Sequence, residues 1–122
     1  MLAFCKSNNI LLEGYSVLGS QRDPRWLNPE APPLLEDSLL VAIAKKYNKT
    51  PALVAIRYQL QRGLVVLVKA DTREQIEEDI QAFTFQLSEE DMKSIDGLHK
   101  NLSYLKEEAY AGHPQYYPPD VE

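Results

Sequence analysis

The strongest signal of fold class in this chain is Leu64-Val65-Val66-Leu67-Val68-Lys69, five apolar residues followed by a lysine. An unbroken apolar run of this length is typical of a parallel strand that helices bury on both faces. A matching partner is Ile10-Leu11-Leu12-Glu13-Gly14, and helical patterns occupy much of the chain between the two runs. Two parallel strands alone leave backbone groups unpaired at their edges. The sequence therefore predicts an α/β fold whose strand pair belongs to a larger sheet or barrel.

Helix starts are marked by side chains that can accept hydrogen bonds from free backbone N–H groups. Four such residues precede helical patterns that run to about residues 47, 62, 81 and 98; they are Asp37, Thr50, Thr72 and Ser88. Ser88 and Asp91 have the spacing of a capping box. Ile76 and Ile80 lie one turn apart, so we expect both to face the core. Residues 2–7 are predicted to be the last turns of a further helix, with Cys5 buried in it.

Composition limits the possible functions. The chain has 122 residues, 44% hydrophobic and 25% charged, which indicates a globular protein. Its net charge of −5 argues against nucleic acid or an anionic membrane as a partner. A single cysteine excludes an internal disulfide, and no apolar run approaches the roughly 20 residues of a membrane span. We therefore expect a cytoplasmic protein.

Common catalytic and metal-binding patterns are missing from the sequence. Cys5 lies in the first helix, and the two histidines fall outside the strand ends where α/β proteins gather catalytic groups. No zinc-type spacing is present, so no metal site is predicted. An irregular segment that carries Trp26 and several prolines extends to Pro33, and its length is typical of a binding loop or lid.

Two loops that follow the predicted strands offer binding chemistry. Tyr15 provides a flat aromatic face, Ser16 a hydrogen-bond donor, and Gly19 a point where backbone can approach a ligand closely. Lys69 provides a cation next to the start of a helix, an arrangement that suits phosphate. These residues indicate either a site for a nucleotide or phosphorylated ligand, or ordinary structural loops.

Three segments resemble the aldo-keto reductases, most closely the hydroxysteroid dehydrogenase subgroup. They are the run from Gly14 to Asp23, the run from Lys49 to Gly63, and Phe85-Gln86-Leu87 through Asp96-Gly97-Leu98. The resemblance implies a (β/α)8 TIM-type barrel that binds NADP, with this chain as its C-terminal portion and the barrel incomplete. On that basis residues 1–122 form one unit, with strand and helix units in 1–98 and a C-terminal tail in 99–122.

The resemblance also assigns roles to residues by position. Tyr15 would stack on the nicotinamide, Ala52 and Glu78 would border the adenine, and Lys69 would meet the adenosine 2′-phosphate. The loop over the pyrophosphate would be formed by Ser16, Leu18, Ser20 and Gln21. Trp26 and Leu105 would shape the pocket for a small carbonyl or steroid substrate.

Several positions depart from the family pattern. Ala70, Gln75 and Asp79 stand where the family usually has serine, arginine and asparagine. Loss of the arginine removes a bidentate contact to phosphate, and Asp79 adds a negative charge, so the preference for NADP over NAD is expected to weaken. The aspartate, tyrosine, lysine and histidine that catalyse the family's reaction have no counterpart in these residues. No catalytic residue is therefore assigned.

Three interpretations follow from the sequence. The first is an oxidoreductase-family chain, a truncated NADP-dependent aldo-keto reductase that is inactive alone. The second is a non-catalytic binding or interaction module that pairs with another chain through exposed strand edges, whereas the family itself is monomeric. The third is a product that does not fold stably.

Overall fold

The computed structural model describes residues 1–19, 27–28, 30–99, 104 and 112–114. Within them the chain alternates helices with two short strands. The helices are α1 (Leu2–Ser7), α2 (Ser38–Lys46), α3 (Pro51–Gln61), α4 (Arg73–Asp79) and α5 (Glu89–Asp96), the 3-10 turns are Leu34–Glu36 and Ile80–Phe83, and the strands are β1 (Glu13–Gly14) and β2 (Val65–Val66). This order confirms the predicted α/β class.

The two strands form a parallel pair, as predicted. Glu13 pairs with Val65, and Gly14 pairs with Val66. The Val65 N–H donates to the Leu12 carbonyl at 3.0 Å, and the Leu67 N–H donates to the Gly14 carbonyl at 2.9 Å. The pair is the whole sheet formed by the described part of the chain.

The apolar run predicts a strand that a larger sheet or barrel buries on both faces, and the described residues alone cover one face of β2. Val65 and Val66 are half-buried, and Leu67 is 50% exposed. Val66 and Val68 pack against a cluster centred on α3 residues Leu53 and Ile56. Among the described residues this packing covers one side of the strand only, because the alternate side chain, Leu67, remains half in solvent.

Helix α3 is the centre of the core. One of its faces contributes Val54 to a buried cluster with α2 and α5, whose buried members are Leu40, Ile43, Ala44, Val54, Leu87 and Ile95. Its other face contributes Leu53 and Ile56 to the cluster that meets the strands and the loop after β1. The helix is therefore buried over two faces, which explains its run of four buried residues from Leu53 to Ile56.

The predicted capping residues occupy the N-cap positions of four helices. Asp37 accepts from the N–H groups of Leu39 and Leu40, at 2.9 and 3.3 Å. Thr50 caps α3, with proline at the first helical position. Thr72 caps α4 in a full capping box with Gln75. These starts are set by local hydrogen bonds, which explains why the sequence predicts them well.

The capping box predicted at Ser88 is only half formed. The Ser88 hydroxyl accepts from the Asp91 N–H at 3.1 Å, as a cap should. The Ser88 N–H, however, donates to the Tyr47 hydroxyl at 3.0 Å, not to the Asp91 carboxylate. The carboxylate instead accepts from Lys46 at 2.9 Å, Tyr47 at 2.5 Å and Ser88 at 2.7 Å.

This network, which we call the Asp91 cluster (Lys46, Tyr47, Ser88 and Asp91), fastens α5 to α2. Asp91 is buried, and burial alone would raise its pKa. Hydrogen bonds from Tyr47, Lys46 and Ser88 outweigh that effect and lower the pKa of Asp91 to about 2. The charged form of Asp91 is thus the form that the fold stabilises.

The expectation that Ile76 and Ile80 face the core is wrong. They are 58% and 67% exposed. The buried residue of this region is Ala82, which packs against Leu53 and Ile56. The segment leaves α-helical geometry at Ile80 and continues as a 3-10 turn. A small alanine therefore makes the close approach to α3, and the two isoleucines lie outside it.

Cys5 is buried in α1, as predicted, and is a free thiol. In the described segments we find no helix long and apolar enough to cross a membrane.

Candidate functional site

The loop after β1 presents one aromatic ring to solvent. Tyr15 is 71% exposed. Ser16 follows with a positive φ of 53°, and its carbonyl accepts from the Gly19 N–H at 3.0 Å, which closes a tight turn. A Cβ on Gly19 would lie 2.7 Å from the Cβ of Leu34, so only glycine fits this point. The turn holds Tyr15 and Ser16 at the end of the strand.

The loop after β2 carries the lysine predicted to bind phosphate. The Lys69 ammonium pairs with the Asp71 carboxylate at 2.5 Å, and both side chains are largely exposed. The loop then enters α4 through a fixed turn, because the Gln75 side chain accepts from the N–H groups of Asp71 and Thr72, at 2.7 and 3.2 Å. The position of Asp71 beside Lys69 is therefore set by backbone hydrogen bonds.

Helices α3 and α4 approach each other across a polar contact. The Thr50 hydroxyl, at the start of α3, donates to the Glu78 carboxylate of α4 at 2.6 Å. Glu78 and Asp79 are half-buried. Partial burial raises the pKa of Asp79, and the negative charge of Glu78 raises it further.

These elements enclose a cleft of about 560 Å³ at the ends of the two strands, which we call the strand-end cleft. Its lining includes every predicted cofactor-binding residue that the structure describes: Tyr15, Ser16, Leu18, Ala52, Lys69 and Glu78. The other four predicted site residues, Ser20, Gln21, Trp26 and Leu105, lie outside the described residues. Residues from separate parts of the chain thus meet in one place, which is where parallel α/β folds bind ligands.

Sequence reasoning gave no role to several residues that line the cleft. Leu35 reaches it from a 3-10 turn that no sequence signal predicted. Asp71 lines it too, and its position two residues after Lys69 in the same loop is a signal that could have identified it. Gln75 and Asp79, noted above only as departures from the family pattern, are also part of the lining.

A second cavity of about 510 Å³ lies between α3, α5 and the segment around Pro32 and Pro33. None of the predicted site residues that the structure describes lines it. The Tyr58 hydroxyl donates to Asp96 at 2.5 Å there. Burial raises the pKa of Tyr58 to about 12, and the hydrogen bond to Asp96 adds to the shift. The Tyr58 hydroxyl therefore keeps its proton at neutral pH.

The described segments contain no group of three or more histidine, cysteine, aspartate or glutamate residues placed to hold a metal ion. The strand-end cleft offers a different donor set. Its walls include the apolar side chains of Val17, Leu18 and Leu67, with one exposed tyrosine and one lysine. The apolar and aromatic side chains suit an elongated ligand with flat rings, and Lys69 offers a phosphate one positive charge among the carboxylates of Asp71, Glu78 and Asp79.

Comparison with known proteins identifies the family of the chain. The model of the aldo/keto reductase family matches residues 1–100. The chain belongs to the aldo/keto reductase family. It is 56% identical over 116 residues to human (Homo sapiens) aldo-keto reductase family 1 member C3. It is 55% identical over the same length to prostaglandin-E(2) 9-reductase of Oryctolagus cuniculus and to dihydrodiol dehydrogenase 3 of Bos taurus.

The three alignments each cover 95% of this chain but 36% of the relative. The chain thus spans about a third of the length of the aldo-keto reductases that it matches. The resemblance to the hydroxysteroid dehydrogenase-like members, seen first in three segments of sequence, is confirmed over nearly the whole chain.

Proposed function

We propose that this aldo-keto reductase chain forms the cofactor-binding C-terminal portion of a (β/α)8 barrel, and that its 122 residues alone do not reduce a carbonyl. The observation that carries the proposal is the strand-end cleft, where six predicted cofactor residues from both strand-end loops and from α3 and α4 meet. In this proposal residues 1–98 supply the barrel units and 99–122 the tail, and the protein acts in the cytoplasm.

The residues of the cleft fit a nicotinamide dinucleotide in part. The exposed ring of Tyr15 can stack on a flat heteroaromatic ring, and Ser16 and Leu18 lie in the same loop, next to where a pyrophosphate would pass. Ala52 of α3 and Glu78 of α4 line the same cleft, and Lys69 supplies a positive charge. When bound, such a cofactor supplies the hydride for carbonyl reduction.

The proposed inactivity follows from the missing proton donor. Reduction of a carbonyl requires a general acid within hydrogen-bond reach of its oxygen. The described lining residues of the cleft include no histidine, and the one lysine among them is paired with Asp71. Its one tyrosine, Tyr15, is assigned by resemblance to the face of the cofactor. A steroid or other carbonyl held near Trp26 and Leu105 would therefore lack the group that protonates it.

Binding and turnover can be measured on the purified chain. We expect calorimetric titration to detect a nicotinamide dinucleotide and Tyr15→Ala to weaken the affinity about fivefold, since a ring contact is worth about 1 kcal/mol. Phe83→Ala is the matched control, because Phe83 is an equally exposed ring that does not line the cleft. Absence of any binding would contradict the cofactor proposal.

The inactivity is tested by following oxidation of NADPH or NADH with an aromatic aldehyde or a ketosteroid. We expect no turnover above that of buffer. A rate like that of an ordinary reductase would show that these residues contain a general acid after all.

A second candidate function is a non-catalytic interaction module, and one observation favours it. Large apolar side chains are exposed at and near the two strands: Ile10, Leu11, Leu67, Ile76, Ile80 and Phe83. Exposed apolar surface beside unpaired strand edges is a common site of association. Size-exclusion chromatography of the pure chain distinguishes the two: dimers or complexes with full-length relatives would support this function, and a compact monomer would argue against it.

A further inference from the structure

The strand-end cleft has an unusual charge composition for a site that holds a polyphosphate ligand. Among the described residues that line it, the charged side chains are one lysine, Lys69, and three carboxylic acids, Asp71, Glu78 and Asp79. The pyrophosphate of any nicotinamide dinucleotide already brings negative charge to such a site. A ligand with an additional phosphate would meet three carboxylates and a single cation.

The one cation among the described lining residues is already paired. Lys69 pairs with Asp71 at 2.5 Å, and the backbone of Asp71 is held near Lys69, because its N–H donates to the Gln75 side chain at 2.7 Å. A phosphate that contacted the Lys69 ammonium would therefore lie within a few ångströms of the Asp71 carboxylate. Gln75 is uncharged and is occupied by the cap of α4, so it offers no second cation.

The other two carboxylates lie on α4, which also lines the cleft. Glu78 accepts from the Thr50 hydroxyl at 2.6 Å, which fixes it beside Ala52. Asp79 is half-buried next to it, and charges in partly buried positions are screened less by solvent. Desolvation raises the pKa of Asp79, and the neighbouring negative charge of Glu78 raises it further.

From this arrangement we infer that the strand-end cleft prefers a nicotinamide dinucleotide with a free ribose 2′-hydroxyl, NADH, over one with a 2′-phosphate, NADPH. A carboxylate accepts hydrogen bonds from ribose hydroxyls but repels a phosphate dianion. The inference rests on the proposed cofactor-binding function, and it reverses the preference that the family resemblance implies for Lys69.

The test is calorimetric titration of the whole chain with NADH and with NADPH at low salt. We expect NADH to bind at least fivefold more tightly than NADPH, and the ratio to shrink as salt is added, because salt screens the repulsion. The variant Asp71→Asn with Asp79→Asn should tighten NADPH binding at least fivefold and leave NADH binding equal or weaker.

The control variant is Glu77→Gln, which removes one charge from the same helix at an exposed residue that does not line the cleft. We expect it to leave the NADH to NADPH ratio unchanged. Circular dichroism of each variant verifies that the fold is retained, and the ratio measured for the unmodified chain tests the inference without any variant.

The outcomes separate the two proposals. If neither dinucleotide binds, the proposed cofactor-binding function fails and this inference fails with it. If both bind and NADPH binds as tightly as NADH or more tightly, the proposed function stands and the inference about charge is overturned.

Discussion

The two halves of this chain differ in how they are stabilised. On the helix side, α2, α3 and α5 enclose a buried cluster, and the Asp91 cluster joins α5 to α2. On the strand side, β1 and β2 pair over two residues each, and Leu67 stands half in solvent. The helix side buries its apolar side chains and pairs the Asp91 carboxylate with residues of the same side. The strand side leaves apolar surface that no described residue covers. The same chain thus contains one region that its own residues cover and one region whose apolar surface the described residues leave exposed.

The largest difference should appear when the same residue is truncated in each half. Leu40 is 2% exposed in the helix core, so Leu40→Ala should lower the free energy of unfolding by about 3 kcal/mol. Leu67→Ala is the matched control on the strand side and should cost less than about 1 kcal/mol. Urea unfolding followed by circular dichroism measures both; equal costs would mean that the strand side is as well packed as the helix side.

The Asp91 cluster gives the helix side a specific dependence on pH. The pKa of Asp91 in the folded chain is about 2, below its usual 3.8. The contribution of Asp91 to the free energy of unfolding is therefore full above about pH 4 and is lost as the pH falls towards 2. We expect Asp91→Asn to lower the free energy of unfolding by about 2 kcal/mol at pH 7. We expect the variant to lack the further decrease in stability between about pH 4 and pH 2.

The control for that experiment is Glu90→Gln, an exposed carboxylate of the same helix. It should change the free energy of unfolding by less than about 1 kcal/mol and keep the acid dependence of the unmodified chain. If Glu90→Gln and Asp91→Asn gave the same pH profile, the Asp91 cluster would not be the cause.

A smaller effect is expected at Thr50, which links α3 of the helix side to α4. Its hydroxyl caps α3 and also donates to Glu78 of α4. Thr50→Ala should lower the free energy of unfolding by about 1 kcal/mol, whereas Thr50→Ser, which keeps the hydroxyl, should cost much less. Urea unfolding of both variants checks this, and an equal cost would assign the effect to the lost methyl group.

The smallest effect on stability is expected on the uncovered surface. Ile80→Lys should change the free energy of unfolding by no more than about 0.5 kcal/mol, because Ile80 is already exposed. If the strand side associates with other copies, the same variant should reduce that association in sedimentation experiments. A large loss of stability would mean that Ile80 is buried in solution, as its spacing from Ile76 first suggested.

The difference between the halves also explains which features the sequence could predict. The N-caps at Asp37, Thr50 and Thr72 depend on residues two or three positions away, so local patterns suffice to predict them. The parallel pairing was correct because long apolar runs specify strands, but β2 is shorter than predicted, and the described residues cover one of its faces only. Burial depends on what covers a residue, and periodicity does not contain that information.

The contacts that sequence reasoning missed are non-local. Tyr47 reaches Ser88 and Asp91 across more than forty residues, so the pattern at Ser88 alone suggested a complete capping box that is not formed. In the strand-end cleft, the family resemblance selected residues that do lie together, and their cofactor roles stay predictions. The sequence shows that Lys69 and Asp71 are two positions apart, but only the structure shows that their side chains form an ion pair.

The most direct test of the contrast between the halves is amide hydrogen exchange measured by NMR. We predict that the amides of Val54 and Ile43, in the helix core, exchange at least about 100-fold more slowly than those of Val65 and Leu67, which hold the strand pair together. Equal protection of the four amides would contradict the account, because it would show that the two halves unfold as one unit of uniform stability.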